Sequence, residues 1–134
     1  MASIDTVEGI GPSFRERLKE VGISTVEGLL EVCGQKSGRE KIARESEIDL
    51  GMILEWVNRC DLMRIKGIGE EYSDLLEVVG VDSVPELAQR RADNLAKKLL
   101  EVNEEKKLVR IVPNESIVEG WVEQAKQLPK VVFH

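Results

Sequence analysis

Histidine is almost absent from this 134-residue chain: the only one is His134. That excludes a histidine-based catalytic triad or a histidine-ligated zinc site, unless residue 134 folds inward. Aromatic side chains are also scarce, with two Trp, two Phe and one Tyr. So few rings cannot build the stacking platform that single-stranded nucleic acid requires. Cys33 and Cys60 are the only cysteines and form no CxxC pair. They do not make a disulfide scaffold, and a reducing cytoplasm is the expected compartment. No apolar run approaches the ~20 residues of a bilayer span, so no membrane association is expected. The opening MASIDTVEG has neither a basic nor an apolar stretch, so no secretory leader is expected. Positive charge is in deficit as well: 19 Lys+Arg face 25 Asp+Glu, a formal net charge of −6. Bulk attraction to nucleic acid or anionic lipid is therefore absent, and only a local basic patch could provide it.

What the chain does have is an internal repeat. Residues 7–33, VEGIGPSFRERLKEVGISTVEGLLEVC, align without a gap on residues 65–91, IKGIGEEYSDLLEVVGVDSVPELAQRR. Gly9, Ile10 and Gly11 fall on Gly67, Ile68 and Gly69, and Phe14 falls on Tyr72. Leu18, Val21 and Gly22 fall on Leu76, Val79 and Gly80. A later pair of segments matches too, placing Trp56-Val57 on Trp121-Val122 and Cys60 on Ala125. Phe14, Leu18 and Val21 make one helical apolar stripe, and Tyr72, Leu76 and Val79 make its copy. Core packing accounts for these aromatics, and Cys33 and Cys60 also read as core.

The pattern predicts helices near 12–21, 25–33, 38–46, 50–62, 70–79, 84–91, 94–104 and 115–127, with a turn near 4–8. A further short helix is admitted over 105–112. No sheet is expected beyond a short terminal extension, VVF. S/T-x-x-E boxes place helix starts at Ser24, Ser37, Ser83 and Ser116. Gly22 and Gly80 suit the left-handed residue that ends a helix. The whole is read as one domain over 1–134, with repeat one about 1–62 and repeat two about 63–134, built around one core with a pseudo-two-fold. Because hairpin one has so little chain before it, the Trp121 helix is expected to pack beside it, burying Trp121 against Ile4 and Ile10.

Each G-I-G joins an apolar residue to a new helix. Two glycines leave the backbone uncovered, and the free N–H groups of the following helix point out of the turn. Such a turn offers an anion site that a phosphodiester can approach without meeting a side chain. Ile10 and Ile68 would point inward and pin the turns. The dinucleotide fingerprint GxGxxG is not met, since Phe14 and Tyr72 stand where its third glycine belongs, and no strand precedes either turn. Walker A fails because no GK[ST] occurs.

With its flanking residues, each G-I-G resembles the helix-hairpin-helix motif, and the chain resembles a tandem, all-α, SAM-like arrangement of two diverged copies. Over its full length, including MILEWVN and DLMRIKGIGEEYSDLLE, the chain is similar to the bacterial domain-of-unknown-function 4332 family. The resemblance implies duplex DNA binding without sequence preference, through hairpin N–H groups and nearby basic side chains. It also implies that a monovalent cation can sit on hairpin carbonyls; no other cofactor is expected. The candidate residues are Gly9, Ile10, Gly11, Ser13, Arg15, Arg17 and Lys19 in hairpin one. In hairpin two, Lys66, Gly67, Ile68 and Gly69 read as a structural copy.

The departures bear on this. DNA-binding copies often read G-x-G-x-K-x-A; here the Lys position holds Ser13 and Glu71, and the small position holds Arg15 and Ser73. Glu70, Glu71 and Asp74 would repel a phosphate at hairpin two, although the two glutamates also complement a helix N-terminus. Glu16 and Glu20 dilute the basic face after hairpin one. Further basic clusters at Lys36, Arg39, Lys41 and Arg44, at Arg90, Arg91, Lys97 and Lys98, and at Lys106, Lys107 and Arg110 are each interrupted by acids and read as solvated helix faces. No catalytic set or metal-ligand spacing stands out, so no enzyme is expected. Two readings remain: a module binding duplex nucleic acid through hairpin one, and a protein-interaction or scaffold module on the same fold.

Overall fold

Where the helices begin and end follows from a few residues that recur in both copies of the repeat. The computed structural model describes residues 2–134. Among them are eight α-helices and no strand: Pro12–Glu20 (α1), Val26–Cys33 (α2), Lys36–Ser46 (α3), Leu50–Leu62 (α4), Glu70–Val78 (α5), Val84–Ala88 (α6), Ala92–Lys106 (α7) and Glu115–Gln127 (α8). The fold is all-α. A single 3-10 turn, Ile4–Thr6, precedes α1.

Pro12 opens α1 at the position where its missing N–H costs nothing. Gly22 then ends the helix at φ 88°, a conformation that favours glycine. The Gly22 N–H reaches the Lys19 carbonyl at 3.0 Å, and the Ile23 N–H reaches that of Leu18 at 2.9 Å. This is the Schellman closure, and buried Ile23 and Leu18 make its hydrophobic contact. α5 ends the same way at Gly80, φ 94°. There Gly80 bonds Glu77 at 3.0 Å and Val81 bonds Leu76 at 2.9 Å.

Of the four expected serine caps, only Ser83 is one: its Oγ accepts the Glu86 N–H at 3.3 Å. Thr25 rather than Ser24 caps α2, through the Gly28 N–H at 2.9 Å. Ser24 lies outside the helix because its carbonyl is held by the Ile4 N–H. α3 starts at Gln35 with no side-chain cap, and Asn114 caps α8 through the Ile117 N–H at 2.9 Å. Ser37 and Ser116 therefore sit inside first turns.

The short helix admitted over 105–112 does not form. α7 runs on to Lys106, and Lys107 then turns left-handed at φ 52°. Asn103 staples the following loop, donating to the Val109 carbonyl at 3.0 Å and accepting its N–H at 2.9 Å. Pro113 further disfavours helix at residue 112.

The chain divides into two compact units, Met1–Asp61 with Val131–His134, and Leu62–Lys130. The buried apolar residues likewise form two clusters instead of the one core expected. Trp56, Leu18, Ile23 and Ile53 anchor the first; Trp121, Leu76, Leu87 and Leu99 anchor the second. Cys33 and Cys60 are both buried in the first unit. Val131–His134 forms no strand, yet it is tied firmly into that unit. The Phe133 N–H donates to Gly34 at 2.8 Å. Buried Arg39 donates to the carbonyls of Cys33, Gly34 and Phe133 at 3.0, 2.9 and 2.7 Å. Gly34 is required here, because a Cβ would run into the Val131 carbonyl.

Candidate nucleic-acid interface

Each G-I-G is built the same way within its own unit. Gly9 and Gly67 take φ 93° and 98°. A Cβ on either would come within 3.0 Å of an indole Nε1, that of Trp56 for Gly9 and of Trp121 for Gly67. Ile10 and Ile68 are buried, as their apolar character requires, and their N–H groups bond Val7 at 3.2 Å and Ile65 at 3.1 Å. Phe14 packs on Trp56 with ring centroids 5.2 Å apart, and Tyr72 packs on Trp121 at 5.3 Å.

This corrects the sequence expectation for the C-terminal helix. Trp121 belongs to the cluster of Ile68 and Leu76, while Ile4 and Ile10 belong to that of Trp56. Hairpin one is therefore backed by α4, which follows it in its own unit, and hairpin two by α8. The physical reason is that each glycine turn needs a flat apolar surface against its bare Cα, and the tryptophan helix of its own unit supplies one.

The second glycine of each turn does a different job. Gly11 and Gly69 are extended, at φ −87° and −104°, and a Cβ on either meets nothing within 4 Å. They are the open approach to the helix N-terminus. In α1 the first turn carries no acidic residue, and Pro12 has no N–H, so Ser13 and Phe14 hold the outward N–H groups. In α5 the first turn carries Glu70 and Glu71.

The basic residues after hairpin one are all on α1, but two have intramolecular partners. Arg15 pairs with Asp5 at 3.1 Å, both about half exposed. Such a pair contributes roughly 0–1 kcal/mol and exchanges readily. The Arg17 guanidinium lies over the Phe14 ring, 5.8 Å from its centroid. Ser13 and Lys19 are exposed. Four residues of the other basic clusters are engaged: Arg39 is structural, Lys41 faces Glu45 at 4.0 Å, Arg90 pairs with Glu86 at 3.2 Å and Arg91 with Asp93 at 2.9 Å. The Asn94 N–H and Arg91 hold the Asp93 carboxyl below its ordinary range.

One residue escaped the sequence reading. Arg59 on α4 donates from Nη1 to the Glu8 carbonyl, next to Gly9, at 2.6 Å. Its Nη2 bonds Glu55 at 3.1 Å, and the side chain is only 10% exposed. The signal was available, because the alignment that pairs Trp56 with Trp121 also pairs Arg59 with Gln124. Gln124 makes the corresponding contact, donating to the Lys66 carbonyl at 3.2 Å and accepting the Lys66 N–H at 2.9 Å.

The Glu8 carbonyl already accepts from the Arg59 guanidinium. Among the described residues, no group of three His, Cys, Asp or Glu could hold a metal ion. Nor is any helix there long and apolar enough to cross a membrane. Burial pushes the Cys33 thiol up to about 11, and burial together with the charges of Glu27 and Asp61 pushes Cys60 up to about 12. Neither is a nucleophile at neutral pH.

These features define an all-α protein whose exposed chemistry lies in backbone turns and mixed-charge helix faces. The chain belongs to the family described as Domain of unknown function (DUF4332), whose model matches residues 8–128. No curated protein and no solved structure matches it.

Proposed function

We propose that the protein is a non-enzymatic binding module of the tandem helix-hairpin-helix kind, acting in a reducing cytoplasm and gripping the backbone of duplex nucleic acid through hairpin one. The observation that carries this reading is the open N-terminus of α1. Gly11 leaves it uncovered, its first turn has no acid, and Arg15, Arg17 and Lys19 follow on the same helix. N–H donors at a positive helix end suit a phosphate without reading a base. Arg15 would exchange Asp5 for the phosphate. Hairpin two, with Glu70 and Glu71 at the same place, serves as a structural corner.

A titration of labelled short duplex and single strand at low and moderate salt tests this. Duplex binding with a steep salt slope is expected, weakened by Arg15→Glu. Gly11→Val is the sharper variant: φ −87° and open space leave the fold unchanged, yet the side chain blocks the approach. No duplex binding even at ~50 mM salt overturns the reading.

That outcome would favour a second reading, a protein-interaction module. It is supported by a cleft of about 410 Å³ in the second unit, lined by Ala96, Leu100, Val112 and Pro113 among others. Ile111 lies just before it in sequence and is 75% exposed.

A further inference from the structure

The three most exposed large hydrophobics among the described residues are Ile111 at 75%, Ile117 at 49% and Leu100 at 48%. All three lie in, or within two residues of, the lining of the cleft of about 410 Å³ in the second unit. Apolar residues scattered singly over a surface need no explanation, whereas a group at one place marks a contact surface. Ile111 is also held out by its backbone. The Tyr72 O–H donates to the Ile111 carbonyl at 2.7 Å. Asn103 clamps both the N–H and the carbonyl of Val109, and Pro113 is buried. With the chain fixed on both sides, the Ile111 side chain keeps its outward place. An apolar group ordered in advance loses little freedom when it docks.

The charge of the lining indicates what covers it. Its ionisable side chains are Lys97 from α7 and Glu115 from the head of α8, both exposed. Asn114 commits its Oδ1 to the Ile117 N–H. One cation and one carboxylate sum to zero, in a chain whose net charge is −6. Two such chains repel unless they meet through a face that is not acidic. A rim of one sign would select a partner of the opposite sign. A rim with one charge of each sign is complementary to itself when turned through a two-fold. We propose that this cleft is a self-association site. A second copy of the chain docks about a two-fold, its Ile111 entering the cleft beside Leu100, with Lys97 of each copy facing Glu115 of the other. The inference rests on the protein-interaction reading and gives it a named partner; it does not depend on duplex binding by hairpin one.

Each charge also has a use inside one copy: Glu115 complements the N-terminus of α8, and Lys97 solvates a face of α7. The test therefore separates contact between copies from effects within one. Sedimentation of the full chain is followed over a concentration series up to about 500 µM. The salt is ~150 mM, which screens the overall repulsion beyond about 8 Å. The same series is run on Ile111→Asp, Lys97→Glu and Glu115→Lys. All three positions are exposed, and thermal unfolding of each variant checks that the fold is kept.

The parent is expected to form a weak dimer, with a Kd of roughly 10–100 µM. Ile111→Asp raises that Kd at least about tenfold. Lys97→Glu and Glu115→Lys each set like charges against one another across the two-fold, and each raises it about fivefold. An equimolar mixture of the two charge variants is the decisive arm. One chain then carries two carboxylates and the other two amines, so both cross pairs are opposite again. Association in the mixture returns to within about twofold of the parent. Mixing cannot repair a role played inside one copy. A parent that stays monomeric at the highest concentration overturns the proposal and leaves the cleft to a partner of different sequence. Association that Ile111→Asp does not weaken overturns it too, as does a mixture no better than its components. Should Ile111→Asp fail to fold, Ile111→Thr carries that arm with the same outcomes.

Discussion

Hairpin one and hairpin two have nearly the same backbone and opposite electrostatics. Both turn on a left-handed glycine seated against a tryptophan, and both end their helix in the same closure. Yet Ser13, Arg15, Arg17 and Lys19 in the first become Glu71, Ser73, Leu75 and Glu77 in the second. Arg59 becomes Gln124. Glu8, opposite Lys66, and Glu20, opposite Val78, run against this trend. The difference teaches that the head of the helix tolerates either character, since Ser13 and Glu71 are both exposed, whereas further on the copies differ in packing as well, with Ser73 and Leu75 buried where Arg15 is half-buried and Arg17 exposed.

The most severe way to break the comparison is to remove a buttress. Trp56→Ala and Trp121→Ala are each expected to destabilise their own unit by about 3–5 kcal/mol. Hydrogen exchange checks this by region. Trp56→Ala should deprotect the amides around Gly9–Phe14 and spare those around Gly67–Tyr72, with Trp121→Ala doing the reverse. Equal deprotection of both hairpins would mean that the turns do not depend on separate tryptophans.

A smaller effect separates the two glycines within a turn. Gly9→Ala places a Cβ within 3.0 Å of the Trp56 indole at φ 93°, and is expected to cost about 1–3 kcal/mol. Gly11→Ala meets nothing, and its thermal unfolding should match that of the parent. The same contrast is expected between Gly67 and Gly69.

The mildest test concerns the caps. Thr25→Ala and Ser83→Ala remove side chains at equivalent positions that each accept one N–H at a helix start. Each should cost about 1 kcal/mol by denaturant unfolding. A much larger loss at Ser83 would show that the short helix α6 leans on its cap more than α2 does.

Much of this was legible in the sequence because it is local. Gly22 and Gly80 declare helix ends, Ile10 and Ile68 declare an inward face, and the stripe from Phe14 to Val21 declares α1. What was not legible depends on partners distant in the chain. The Trp56 helix runs straight into hairpin two, so chain order suggested that it serves that hairpin; packing assigns it to hairpin one. The first part of the repeat recurs at one spacing and the tryptophan helices at a wider one, because α7 and its loop are longer than α3 and its loop. The match of the tryptophan helices pairs Arg59 with Gln124, but nothing in it says which backbone either side chain reaches. The pairing of Arg15 with Asp5 was equally hidden, since mixed charge on a surface gives no rule for which acid a given arginine chooses. The caps show the same limit on a smaller scale: Ser24 and Thr25 are equally good caps by type, and the Ile4 contact decides between them.

The clip formed by Arg39 has a consequence for how the protein comes into being. Its guanidinium is satisfied by carbonyls on both sides of a gap of 94 residues, from position 39 to Phe133. A chain emerging residue by residue from the ribosome can form α1 to α4 and their glycine turn long before positions 131–134 exist. Until those residues arrive, Arg39 has only Cys33 and Gly34 to hold, and the place of Val132 in the first core stays wet. The first unit to begin folding is thus the last to be sealed, after the whole of the second has been synthesised. Ribosome-stalled chains released before residue 131 would carry that unfinished seam as a lasting mark.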